Sequence, residues 1–255
     1  MATRLVTALA RGLDILGHLA SGPRTASEIA AALSLPRATT HELLKTLEAY
    51  GFVQAEGSAY ALGIRLFELG NAVERSLDVV RIARRHARRV AAECGETVQV
   101  ALLDGPEVVY VAKVDSEHAV KLVSTVGARL PAHLTAVGKA ALAYRTEDEL
   151  DRLYPAGSSL EVLTPSGIDN TDRLREVLAE VRKTGVAWDD CESNPDVRCV
   201  AAPIRDGRGG VIGGLSVSVP TYRWDATFAD RLSELVTTGA AALSANLGDP
   251  TVPAR

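Results

Sequence analysis

The sequence predicts an α+β fold in two parts. A winged helix-turn-helix comes first and, past a linker helix, a larger domain is built on a mainly antiparallel sheet. Three observations predict it. Residues 25–62, TASEIAAALSLPRATTHELLKTLEAYGFVQAEGSAYAL, read as a short helix, a tight turn, a second helix closed by Gly51 and a two-stranded ribbon. At Gly95 helical periodicity gives way to valine-rich segments. From there strands and helices alternate irregularly and include hairpins, which favours an antiparallel sheet flanked by helices. These observations set boundaries of 1–70 for the winged domain, 71–94 for the linker helix, 95–248 for the second domain and 249–255 for a frayed tail.

In residues 4–20, Leu5, Leu9, Leu13, Leu16 and Leu19 recur three or four apart, as on an amphipathic helix, and Ser21-Gly22-Pro23 stops it. Thr25 and Glu28 form a T-x-x-E capping box, each side chain satisfying the other residue's backbone amide, so a second helix follows over about 27–33. Leu33-Ser34-Leu35 makes the turn. Pro36 takes the first position of a third helix, where a missing amide hydrogen is tolerated. On that helix Leu43, Leu44 and Leu47 face a core. Arg37, Thr39, Thr40, His41 and Lys45 occupy its leading turns and outer side, from which such a helix reaches bases and phosphates. With Thr25 and Ser27 they form the candidate DNA-contacting set. Phe52-Val53 and residues 59–62 flank Glu56-Gly57-Ser58 as the wing. A helical subdomain with merely solvated Thr and Arg side chains would show the same pattern, but the wing and the N-terminal position favour DNA.

Residues 64–94 read as helix, broken near Gly70-Asn71. Val79, Ile82, Ala83, Ala87, Val90 and Cys94 form one stripe, and Arg81, Arg84, Arg85, Arg88 and Arg89 crowd the rest, either to touch DNA, to bridge domains or simply to be solvated. Strands at 97–103 and 107–114 then flank the turn Asp104-Gly105-Pro106. Residues 126–133 read as a loop. Helices follow at 135–144 and 146–153, the second opened by a capping box of Thr146 and Glu149. After a loop at 155–166, Leu174, Val177, Leu178 and Val181 mark a helix ended by Gly185. Strands at 186–188, 197–204 and 211–219 precede a helix over about 226–247. Residues 189–195 read as an acidic loop between strands. Ser216 and Ser218, two apart on a strand, point to one face. If that face is enclosed, a small polar ligand is a natural partner for their hydroxyls; bonds to backbone or solvent fit the spacing equally well.

Composition narrows the classes. With 47% hydrophobic and 24% charged residues the chain is globular rather than disordered. The first residues carry polar groups too often for a secretory signal or a membrane span, so a soluble, cytoplasmic protein without a membrane partner is expected. Cys94, Cys191 and Cys199 are odd in number and widely spaced, which suits reduced thiols. No CxxC or HxxxH pair supports a metal site, although a zinc pocket using the cysteines stays open. There is no G-x-S-x-G, H-E-x-x-H, phosphate loop or G-x-G-x-x-G, so neither an enzyme nor a bound cofactor is expected. Gly138-Lys139 lacks the preceding glycine spacing of a nucleotide loop, and Lys139 reads as an ordinary helix residue near a loop. The other class left open is a metabolite-binding module or enzyme that uses its N-terminal helices only to oligomerise.

The runs RGLDILGHLA, LPRATTHELLKTLEAYGFV, AYALGIRLFELG, GARLPAHLTAVGKAALA, DDCESNPDVRCVAAPIRD and IGGLSVSVP, in this order, resemble the IclR family of bacterial transcriptional regulators over nearly the whole chain. The resemblance implies a GAF-like C-terminal effector domain. It also implies a homodimer, or dimer of dimers, joined through the DNA-binding domains on a palindromic operator in double-stranded DNA. The effector it implies is a small organic acid, aromatic acids included. The pocket positions it carries over are Leu130, Ala136, Val137, Asp189, Val197, Cys199, Ser216 and Ser218, with Ala119 and Leu122 as further lining residues. Their roles would be apolar walls plus hydroxyl and thiol donors for a carboxylate. Two departures stand out. Glu42 replaces the family's usual Arg after the recognition-helix His. In the acidic loop Cys191 replaces a usual Glu, and Pro195-Asp196 a familiar Pro-Gly.

Overall fold

The computed structural model describes residues 5–76, 78–118 and 125–251, and the chain divides into two compact units, Met1–Leu77 and Asp78–Arg255. The first unit runs α1 (Thr7–Leu19), β1 (Arg24–Thr25), α2 (Ala26–Ala32), α3 (Arg37–Ala49), β2 (Val53–Glu56), β3 (Ala59–Leu62) and α4 (Ile64–Ser76). Ile15, Leu19, Ile29, Leu44 and Val53 form its core. The capping box is made as expected: Thr25 N donates to Glu28 Oε2 at 2.7 Å, and Glu28 N donates to Thr25 Oγ1 at 3.3 Å. Ser34, at φ 52°, bends the chain between α2 and α3. Pro36 is extended, at φ −59° and ψ 139°, and so caps α3 from outside rather than taking its first helical position. The ribbon folds back tightly on the end of α3, because a Cβ at Gly63 would stand 2.2 Å from the Gly51 carbonyl oxygen.

Three further details of this unit differ from expectation. The ribbon gains a third strand, in the order β1-β3-β2, through the pairs Arg24–Tyr60 and Thr25–Ala59. The inward face of α1 is Gly12, Ile15 and Leu19, which leaves Leu5, Leu9 and Leu13 at 74%, 62% and 59% exposure. The first three leucines of the repeat therefore mark an exposed apolar side, while Leu16 and Leu19 join the buried one. Finally, α4 runs straight through Gly70-Asn71, since an isolated glycine is tolerated inside a helix.

The second unit runs α5 (Asp78–Cys94), β4 (Thr97–Asp104), β5 (Glu107–Val114), β6 (Arg129–Pro131), α6 (Ala136–Leu142), α7 (Glu147–Leu153), α8 (Thr171–Thr184), β7 (Ala187–Asp190), β8 (Val197–Arg205), β9 (Val211–Pro220) and α9 (Ala226–Asn246). All pairings in its six-stranded sheet, β6-β5-β4-β9-β8-β7, are antiparallel. One face carries Val98, Val100, Val200, Leu215 and Val217, packed with Ile82, Ala83, Ala87 and Val90 of α5 and Leu232, Val236 and Leu243 of α9. The apolar stripe of the basic helix is thus core, and its arginines line the outer side. The opposite face packs against α6 and α8. There α6 lies close to the backbone of β9, since a Cβ at Gly214 would come within 3.1 Å of Val137 Cα.

The segment expected as a loop at 126–133 contains the edge strand β6. Strand β7 extends through Asp189 and Asp190, so Asp189 belongs to the sheet and not to the acidic loop. Asp249, expected in a frayed tail, is buried and donates its backbone N–H to Ser244 O at 3.1 Å. Among the described residues no helix is long and apolar enough to cross a membrane.

Candidate functional site

Helix α3 presents Arg37, His41 and Lys45 at four-residue spacing on an exposed face, with Glu42 exposed beside them. Thr39 is half-buried. Thr40 is wholly buried and its hydroxyl donates to Pro36 O at 3.1 Å, so it packs inward with Leu44 and does not stand on the outer side as expected. Thr25 spends its hydroxyl on the capping box, donating to Glu28 Oε2 at 2.8 Å, whereas Ser27 is exposed. The wing tip presents Gln54, Glu56 and Ser58 but no cation, so positive charge on this surface is concentrated on α3.

In the second unit the antiparallel register places Asp189 of β7 opposite Cys199 of β8, Cys199 opposite Ser218 of β9, and Ser218 opposite Thr97 of β4. The adjoining row runs Ala187, Ala201, Ser216 and Gln99. These side chains share the face beneath α6 because cross-strand partners point the same way. The Cys199 thiol donates to Ser218 Oγ at 3.2 Å, and Ser218 Oγ donates to Gln99 Oε1 at 3.2 Å. Asp189 accepts from the backbone N–H of Glu192 at 2.7 Å and of Ser193 at 3.2 Å, and from the Ser193 hydroxyl. From above, Lys139 of α6 extends its ammonium to within 2.5 Å of Glu192 Oε1.

Burial sets the electrostatics of this face. It pushes the Asp189 carboxyl up, an effect opposed first by the Ser193 hydroxyl and then by the Lys139 charge. It pushes the Glu192 carboxyl up as well, against the pull of Lys139. The Cys199 thiol is held well above its ordinary value, so it serves as a neutral S–H donor and not as a thiolate nucleophile. The Tyr110 phenol is raised by burial too. The result is a polar patch of hydroxyl, thiol, amide and carboxyl groups around one buried ammonium paired to Glu192, suited to holding a small polar molecule and lacking an activated nucleophile.

Residues 8–57 match the family profile of the IclR helix-turn-helix domain, and residues 71–245 match that of the bacterial transcriptional regulator IclR C-terminal domain. The chain belongs to the IclR family. The HTH-type transcriptional regulator KdgR of Escherichia coli (strain K12) is 33% identical over 224 residues, which is 87% of this chain and 85% of that protein. The crystal structure of Thermotoga maritima IclR superposes with a TM-score of 0.77 at 31% identity, covering 95% of this chain and 99% of the other. An IclR homologue from Microbacterium hydrocarbonoxydans, crystallised in complex with 4-hydroxybenzoate, shares the fold at a TM-score of 0.81 and 24% identity, covering 94% of this chain and 98% of its own. The protein is therefore a DNA-binding transcriptional regulator of the IclR family with an effector-binding C-terminal domain, and not an enzyme.

The IclR-family positions are distributed unevenly. Asp189, Cys199, Ser216 and Ser218 converge beneath α6, and Val197, buried, precedes Cys199 by two on the same face of β8. Ala136 and Val137 open α6 and are buried against the sheet. Leu130 lies on β6, at the opposite sheet edge from Asp189, where it pairs with Val108. Ala119 and Leu122 lie outside the described residues. Lys139 and Glu192 were missed by the sequence reading. Their signal was a single lysine in VGKAALA, a helix too apolar all round to be a surface element.

Proposed function

We propose that this IclR-family regulator senses a small organic acid, aromatic acids included, and controls a neighbouring metabolic operon as a homodimer or dimer of dimers on a palindromic operator. The observation that carries the acid reading is the row of buried Asp189, half-buried Cys199 and buried Ser218, with Ser216 beside it and the Lys139 ammonium above. Hydroxyl and thiol donors around a buried cation favour a carboxylate over a neutral ligand. The 4-hydroxybenzoate bound by the Microbacterium hydrocarbonoxydans homologue supports the same ligand class. Arg37, His41 and Lys45 are the proposed DNA contacts, with Ser27, Thr25 and Thr39 at the margin of that face.

The test is a thermal-shift screen of the purified protein against small aliphatic, keto and phenolic acids, each beside its amide or alcohol. A ligand that binds only the folded state raises the unfolding midpoint with concentration. At least one acid is expected to do so while its neutral counterpart does not, and to change salt-sensitive binding to the protein's own upstream DNA in a gel shift. Stabilisation by neutral compounds alone would overturn the acid reading.

A further inference from the structure

Lys139 is the largest of the fully buried side chains among the described residues, at 1% exposure, on a helix otherwise made of alanine, valine, glycine and leucine. Its carboxylate partner Glu192 belongs to the turn after β7. Glu192 has two aspects. One oxygen meets the ammonium, and the other, Oε2, is buried with no hydrogen-bond partner among the described residues. Glu192 is also one of the residues lining an open cleft, with Ser166, Asp169, Arg173 and Asp190. Glu192 thus touches both the buried lysine and the cleft. Stability alone does not account for the arrangement, because a buried ion pair is often no better than well-packed apolar residues of the same volume.

We propose that Lys139 is the anion-binding cation of the effector pocket and that Glu192 is its internal, displaceable ligand. A carboxylate entering by the cleft takes the place of Glu192 on the ammonium, and the Glu192 side chain swings out to solvent. This rests on the reading of the pocket as an acid sensor. The turn is built for such an exchange. Thr164 Oγ1 donates to Cys191 O at 2.6 Å and to Glu192 O at 3.1 Å, while Asp189 accepts from the backbone N–H of Glu192 and Ser193. With the backbone pinned from both sides, release of Glu192 requires rotation of one side chain and no unfolding of the loop. The Lys139 charge also acts on Asp189 and Cys199, which links the exchange to the hydroxyl-bearing row. Selectivity follows: only an anion replaces Glu192 without leaving a buried ammonium unpaired. An amide or alcohol of the same shape is rejected.

The probe is [1-13C]acetate, the smallest carboxylate, titrated into the full-length protein and followed by NMR, with acetamide as the neutral control. Glu192→Gln keeps the shape of the side chain and removes its charge, so it opens no cavity for acetate to fill. Because a tethered carboxylate competes at a high effective concentration, Glu192→Gln is expected to bind acetate about tenfold or more tightly than the wild type. Acetamide should bind neither, and Lys139→Met with Glu192→Gln should abolish the gain. Glu192→Asp, one methylene shorter, serves should the Gln variant fail to fold, and is expected to bind acetate several-fold more tightly than wild type. A folded Glu192 variant with wild-type acetate affinity, or a double variant that retains the gain, overturns the exchange. If it falls while replacement of Ser216 and Ser218 still weakens an acid found in the screen, the acid-sensing reading survives it. Acetate uptake by Glu192→Gln through Lys139, with no acid stabilising the wild type, would instead leave the exchange standing and remove that reading.

Discussion

Ser216 and Ser218 show how far single residues carry the reading. Their spacing put both hydroxyls on one face of a strand, but only the register with β8 and β4 shows what stands beside them: Cys199 and Thr97 at one level, Ala201 and Gln99 at the next. Each hydrogen bond to a charged carboxylate contributes about 1.5–3 kcal/mol, so Ser216→Ala with Ser218→Ala should weaken the effector acid by on the order of a hundredfold or more. Calorimetric titration reads this directly. Unchanged affinity would place the acid elsewhere, and acid-free DNA binding should be unaffected. Lys139 was missed for the opposite reason: a lone lysine is ordinarily assigned to solvent, and only the apolar character of α6 all round marked a helix covered on every side. His133 gives a pH prediction. Its ring is buried, with Nε2 2.9 Å from Glu161 O and Nδ1 unpartnered among the described residues, and burial first, with Lys139 also contributing, lowers its affinity for a proton from the ordinary 6.5. The unfolded chain takes up that proton first on acidification. The stability it contributes is therefore full above the ordinary value and is lost as pH falls through the lower, folded one. Urea midpoints at about pH 7.5 and about pH 5.5 should differ more in the wild type than in His133→Gln. Equal differences would show that another group governs the acid limb.

At the scale of elements, what was legible was local. Both capping boxes, Thr25 with Glu28 and Thr146 with Glu149, are made because their partners are three residues apart and need nothing from the rest of the fold. The left-handed glycines that end α3 and α8, Gly51 at φ 74° and Gly185 at φ 74°, belong to the same class. Strands β1 and β6 escaped because two or three residues carry no periodicity; each exists only through its partner, β3 or β5. Thr40 escaped because the phase of α3 is set by Leu44 and the core it meets. The exposed stripe of α3 makes its own prediction. If Arg37 and Lys45 each meet one phosphate, Arg37→Ala and Lys45→Ala should each reduce the slope of log affinity against log salt by about one. An unchanged slope removes that residue from the backbone contacts. Glu42, exposed on the same helix, repels phosphate if it faces the duplex, so Glu42→Arg should strengthen binding to unrelated DNA and steepen the slope. No change in either quantity turns Glu42 away from the backbone.

For the whole molecule, the decisive feature is an apolar strip that the N-terminal unit does not use. Leu5, Val6, Leu9 and Leu13 remain 59–74% exposed while the adjoining face of α1 fills the core with Ile15 and Leu19. Leu9 and Leu13 on α1, with Leu5 and Val6 just ahead of it, form the kind of patch that a second copy covers, and the IclR family resemblance implies pairing through these domains. Pairing matters for recognition because two linked reading heads convert the second half-site contact into an intramolecular event, raising affinity for a palindrome far above that for one half. A double replacement, Leu9→Glu with Leu13→Glu, tests this without touching the core, since both side chains point away from it. The variant should melt close to the wild type. In light scattering its N-terminal contact should be lost, seen as a lower mass or a concentration-dependent one. Its affinity for a palindromic operator should fall toward that for an isolated half-site, while half-site affinity and the response of the second unit to acid persist. A variant of wild-type mass that keeps its preference for the palindrome would show that α1 is not the contact between copies, and that the strip has another partner.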